Sequence, residues 1–129
     1  LHNTAAALLA GEQPQSVLPG TNTTIGVIAT DMALDKAQAK RLAMSGHDGF
    51  ARAISPVHTQ TDGDTLFALA TGASPARVHP TVLGLMASEA VALAAAAAVR
   101  AATALQLPAS GTAPALHLPC WADLQAAKR

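Results

Sequence analysis

Strand-length apolar runs alternating with helical patterns predict an α/β (α+β) chain. Residues 24–30 and 65–71 are each an apolar run of strand length bounded by turn residues. Between them Asp35, followed three residues later by Gln38, marks a helix start, and a second helical pattern runs on from Pro80. At 129 residues the chain has room for one modest domain with a real core.

Each element has its own local reason. The alanine-rich start predicts a helical turn or two. Gly11-Glu12-Gln13-Pro14-Gln15 and Pro19-Gly20 then read as an exposed linker. In the first strand Ile25, Val27 and Ala29 share one face, and Thr24, Gly26, Ile28 and Thr30 the other. Only threonines interrupt the apolar character, so both faces are expected to be buried. Asp35 caps a helix whose buried stripe is Ala39, Leu42, Ala43, Gly46, Phe50 and Ile54, with Lys36, Lys40 and Arg41 in water. Gly46 and Gly49 point to a kink or a close packing contact, and Pro56 stops the helix.

Thr61-Asp62-Gly63-Asp64 is a turn in which Gly63 is free to take positive φ, and the second strand follows it. The longest helix opens at Pro80 or Thr81 and is expected to end near Leu105. Its 82–99 segment is apolar enough to invite a membrane reading, but Glu89 in the middle, the many alanines and Arg100 favour burial against a sheet and a neighbouring subunit. Residues 106–129, with four prolines or glycines before Trp121, are expected to be mostly loop ending in a short helix.

Composition excludes several functions. Eight basic and eight acidic side chains cancel, so neither nucleic acid nor an anionic membrane is an expected partner. Phe50, Phe67 and Trp121 are the only aromatics, too few for a stacking platform. Cys120 is the single cysteine, which rules out an internal disulfide scaffold. Residues 1–15 lack the pattern of a secretory signal; a cytoplasmic location is expected, with a periplasmic one as the alternative. The five histidines (His2, His47, His58, His79, His117) show no metal-ligand spacing, so no metal is expected.

Two features retain chemical interest. A hydroxyl at the start of a rigid strand is well held, as a nucleophile must be, though local pattern alone favours reading Asn22-Thr23-Thr24 as a Thr-rich turn into an ordinary core strand. Asp62 and Asp64, flanking a glycine before the second strand, can position a hydroxyl or an ammonium group, or can be a solvated turn.

Asn22-Thr23-Thr24-Ile25-Gly26-Val27-Ile28-Ala29-Thr30-Asp31 resembles the processing-site signature of the DmpA-type L-aminopeptidase/D-esterases, self-cleaving N-terminal-nucleophile hydrolases that include the β-peptidyl aminopeptidases. The likeness continues through residues 36–43, 47–54 and 56–59, and closes with Asp62-Gly63-Asp64-Thr65-Leu66-Phe67-Ala68-Leu69-Ala70-Thr71-Gly72. Residues 80–105 fit the last long helix of that family by pattern only.

The resemblance implies a four-layer αββα sandwich of the type shared with ornithine acetyltransferase, of which this chain supplies part. Residues 1–22 would be the tail of a preceding α-chain region. Residues 23–129 would be the β-chain part, with 105–129 a loop-rich tail. It implies self-cleavage between Asn22 and Thr23, Thr23 as the catalytic nucleophile, Asp64 as an orienting carboxylate and Asp62 as its partner, with no metal and no cofactor. The implied partners are the α chain of the same precursor, a small peptide, amide or ester substrate, and further αβ units in a homo-oligomer. Two other readings are an incomplete, uncleaved fragment with an assembly role, and an acyltransferase of the ornithine acetyltransferase kind. The processing-site sequence of the latter differs from Asn-Thr-Thr-Ile-Gly.

Overall fold

The computed structural model describes residues 3–13 and 22–127. The described residues fall into two units, one within residues 3–93 and the other over residues 94–127. The linker expected over residues 11–20 lies for the most part, from residue 14 on, outside the described residues.

The first unit opens with helix α1, Thr4–Leu9, whose N-cap Asn3 accepts a hydrogen bond from Ala6 N–H at 3.0 Å. Strand β1 is Ile25–Thr30, helix α2 is Lys36–Ala53 and strand β2 is Thr65–Ala70. The strands pair in parallel, Ile25 opposite Thr65 through Thr30 opposite Ala70. Parallel neighbours need a crossover, and α2 provides it. Its start is the one the sequence announces: Asp35 accepts from Gln38 N–H at 2.8 Å, and the Gln38 side chain accepts from Asp35 N–H at 2.9 Å.

Helix α3, Pro80–Ala101, begins where expected and stops a turn short of Leu105. Over residues 80–93 it packs on α2 through small residues. A Cβ on Gly49 would press on the Ser88 carbonyl oxygen and stand 2.8 Å from Val91 Cβ. Close approach, rather than a kink, accounts for Gly46 and Gly49, both buried within an uninterrupted helix. Phe50, Leu66 and Val91 form the core, with Ile28, Ile54 and Val57 against it. Glu89, the charge inside the apolar run, pairs with Arg52 of α2 at 2.7 Å. By length and composition α3 could cross a bilayer. Ala87, Ser88 and Val91 nevertheless face protein.

The expectation that both faces of the strands are buried is corrected. Burial alternates: Gly26, Ile28, Thr30, Leu66, Ala68 and Ala70 turn toward the helices, while their neighbours face outward. On that outer face Ile25 is 70 % exposed, Val27 66 %, Phe67 57 % and Leu69 55 %. The physical reason is that α2 packs on one side of the sheet, where Val91 of α3 joins Phe50 and Leu66, and among the described residues nothing covers the outer side chains to the same degree.

In the second unit, residues 106–129, expected to be mostly loop, contribute to a small antiparallel hairpin. Strand β3, Leu105–Leu107, pairs with β4, Leu116–Leu118, across a turn in which Gly111 has φ 58°. Alternating Leu-Gln-Leu and Leu-His-Leu triplets are short enough to be hidden by the surrounding prolines. Helix α4, Trp121–Ala126, closes the unit as expected.

Candidate active site

The parallel ladder does not end at β1 and β2. Thr65 N–H donates to Thr24 O at 2.9 Å and Gly63 N–H to Asn22 O at 2.8 Å, with Asn22 and Asp62 forming a parallel bridge. The two segments singled out by sequence therefore run side by side. Asn22 and Thr23 lie along Asp62-Gly63-Asp64 because the strand register continues three residues upstream.

Thr23 sits against Gly63 so tightly that a Cβ there would stand 2.7 Å from Thr23 Oγ1 and 3.7 Å from Thr23 Cβ. This corrects the reading of Gly63 as a positive-φ turn residue. The positive-φ glycines among the described residues are Gly11, Gly72 and Gly111, so Gly63 is small to admit the Thr23 hydroxyl.

Asp64 is the better-held carboxylate, its side chain only 7 % exposed. Its Oδ1 accepts from Thr24 N–H at 2.9 Å, and its Oδ2 faces His58 Nδ1 at 3.1 Å. Burial pushes its carboxyl up, but hydrogen bonding by Thr24 and then His58 outweighs it, and the group is held below the usual carboxylate range. Asp64 is thus an anion at neutral pH, joined to the residue that follows Thr23.

Asp62 is committed elsewhere. Its Oδ2 accepts from Thr59 N–H at 2.8 Å, and its own N–H donates to Thr59 O at 3.1 Å. Its side chain shapes the turn that presents Gly63 rather than engaging Asp64.

His58 is the participant the sequence hides. It stands in the loop between α2 and β2 with a left-handed φ of 55°. Its ring lies 5.0 Å from that of His47, which is edge-on to Phe50 at 5.8 Å. A single histidine six residues ahead of an aspartate has no periodic signature; only the loop path joins the two. No group of three His, Cys, Asp or Glu that could hold a metal occurs among the described residues.

The groups together offer a hydroxyl, a carbonyl already engaged by an N–H, and a buried carboxylate on the adjoining amide. That set suits acyl transfer through an oxygen nucleophile.

The family model described as peptidase family S58 matches residues 2–114. An uncharacterized aminopeptidase of Mycobacterium tuberculosis is 44 % identical over 106 residues, 80 % of this chain and 31 % of the relative. One from Mycobacterium leprae is 52 % identical over 77 residues, 60 % of this chain and 21 % of the relative. A 6-aminohexanoate-oligomer endohydrolase of Paenarthrobacter ureafaciens is 38 % identical over 89 residues, 60 % of this chain and 25 % of the relative. The chain spans less than a third of the length of these relatives.

Proposed function

Since the chain belongs to peptidase family S58, we propose that it is the nucleophile-bearing part of a self-processing N-terminal-nucleophile hydrolase, an aminopeptidase or amidase/esterase that cuts itself between Asn22 and Thr23. The observation that carries this reading is the hydrogen bond from Gly63 N–H to the Asn22 carbonyl beside the Thr23 hydroxyl. A carbonyl so engaged is more electrophilic, and negative charge developing on its oxygen finds a donor in place.

In the cut, Thr23 Oγ adds to the Asn22 carbonyl carbon as its proton leaves. The C–N bond then breaks, the nitrogen departs as the Thr23 α-amine with a proton, and an Asn22–Oγ ester remains. Water adds to that ester, returning the hydroxyl to Thr23 and a carboxylate to Asn22. An α-amine titrates near ~8 in model peptides, so it serves as base near neutral pH, where a hydroxyl alone is inert. In turnover Thr23 Oγ attacks a substrate amide or ester, the amine or alcohol leaves, and water clears the acyl-enzyme. Asp64 orients the start of β1 through the Thr24 amide, and Asp62 shapes the Gly63 turn. No step calls for a metal or a cofactor.

The names of the relatives, aminopeptidase and oligomer endohydrolase, support hydrolysis as the reaction. The exposed outer face of β1 and β2 supports a partner layer from the preceding part of the same precursor, completing an αββα sandwich. By this reading the 129 residues are inactive alone, and αβ units associate further. The exposed apolar side of α3, with Leu85 66 % and Leu93 62 % accessible, supports that association.

The test is mass spectrometry of the full-length protein. A chain beginning at Thr23 is expected, and Thr23→Ala should abolish both its appearance and amide hydrolysis. Active enzyme with an intact 22–23 bond sinks the reading.

A further inference from the structure

His58 is an anomaly on three counts. It is a non-glycine residue in the left-handed region, φ 55°, a conformation that Asn tolerates better. Its ring nitrogens both face acceptors: Nδ1 the Asp64 carboxylate at 3.1 Å, and Nε2 the His47 carbonyl oxygen at 3.4 Å. Its ring is backed by His47, which meets the core through Phe50. Residues in sparsely populated conformations persist where their surroundings over-determine them, and such sites cluster at functional centres.

The Asp64 carboxylate shows what the contact accomplishes. With the Thr24 amide alone on Oδ1, it would be free to turn about its last torsion. With His58 on Oδ2, both oxygens are assigned and the plane of the carboxylate is fixed. The support runs from the core, through Phe50, His47 and His58, to the carboxylate, and from there to the amide that follows Thr23. Acyl transfer is sensitive to small displacements of the attacking atom.

We propose that His58 is a positioning residue for the active site, acting through Asp64, whose carboxylate its Nδ1–H holds against the Thr24 amide. The inference deepens the N-terminal-nucleophile reading and rests on it.

The experiment compares His58→Asn with His58→Gln in the full-length protein. Asn sets its side-chain N–H near the place of Nδ1 and accepts a left-handed backbone. Gln sets its N–H one carbon farther, near the place of Nε2. For His58→Gln, kcat on an aminoacyl anilide should fall about tenfold, equivalent to about 1.4 kcal/mol of barrier, with KM within about twofold. Self-cleavage read by mass spectrometry should slow in parallel. His58→Asn should restore both to within about threefold of the parent.

Equal losses in the two variants, or parental kcat in both, overturn the proposal. So does a loss confined to KM. Thermal melting of both proteins shows that they are folded. Thr23→Ala, run alongside, separates the two claims: if it still cleaves and hydrolyses, the nucleophile assignment itself falls, whatever His58 does.

Discussion

Gly63 N–H donates to the carbonyl oxygen of Asn22 at 2.8 Å, one step ahead of the hydrogen bond from Thr65 to Thr24. The carbonyl of the bond proposed to be cut is therefore held by the outermost rung of the parallel ladder among the described residues. Regular strand pairing fixes the orientation of that carbonyl without any dedicated side chain.

Gly63→Ala tests how close the fit is. The added methyl would stand 2.7 Å from Thr23 Oγ1, while the backbone there accepts any residue. Self-cleavage of the full-length protein, followed by mass spectrometry, should slow by about tenfold or more. Circular dichroism should change little.

Asp64 gives a pH prediction with a definite sign. Its folded carboxyl is held below the usual range. Its stabilising contribution is therefore present above the unfolded value near ~3.9 and is lost as pH falls through the lower folded value. Asp64→Asn should lower stability at pH 7 by about 1–3 kcal/mol, the worth of hydrogen bonds to a charged group. The difference from the parent should shrink in strong acid, as read by urea midpoints across pH.

Asp35→Ala removes the N-cap of α2 and the reciprocal bond with Gln38. A loss of about 1 kcal/mol is expected in urea unfolding, with Asp35→Asn close to the parent.

Phe67 distinguishes a solvent face from a covered one. It is 57 % exposed here, and a true surface site would tolerate Phe67→Asp within about 0.5 kcal/mol. If a second layer from the same precursor covers β1 and β2, the full-length variant should lose more than about 2 kcal/mol or fail to assemble. Denaturant unfolding and gel filtration read the outcome.

The helices and strands were legible because their signals are local. Asp35 with Gln38 is a reciprocal cap written four letters long, and 24–30 and 65–71 are apolar runs bounded by turns. Burial was less legible. Alternation in the two strands is between apolar and apolar or small side chains, so composition could not tell a covered face from an open one. The hairpin at Leu105–Leu107 and Leu116–Leu118 escaped because three-residue strands carry too little pattern. At the site, the nearness of Thr23 to Asp62-Gly63-Asp64 follows from register across 40 residues, which the resemblance implied and no spacing reveals. The room that Gly63 leaves for Thr23 follows from the same register, whereas His58 depends on loop geometry alone.

Gly26, Gly46 and Gly49 lie where β1, α2 and α3 meet. A Cβ at Gly26 would stand 2.7 Å from Leu66 Cδ2, and one at Gly46 would stand 2.8 Å from Leu66 Cδ1. At those two positions the ends of the Leu66 and Ile28 side chains would have to turn aside, whereas at Gly49 a Cβ meets the main chain of α3 at Ser88 and Ala92, which cannot. Gly49→Ala alone should cost about 1–3 kcal/mol in urea unfolding of the full-length protein. This part of the molecule is an anvil, a backing of fixed shape behind the strand that Thr23 precedes. A library confined to the helix-facing side should therefore lose folded protein more often than one on the outer face, as read by soluble yield and circular dichroism.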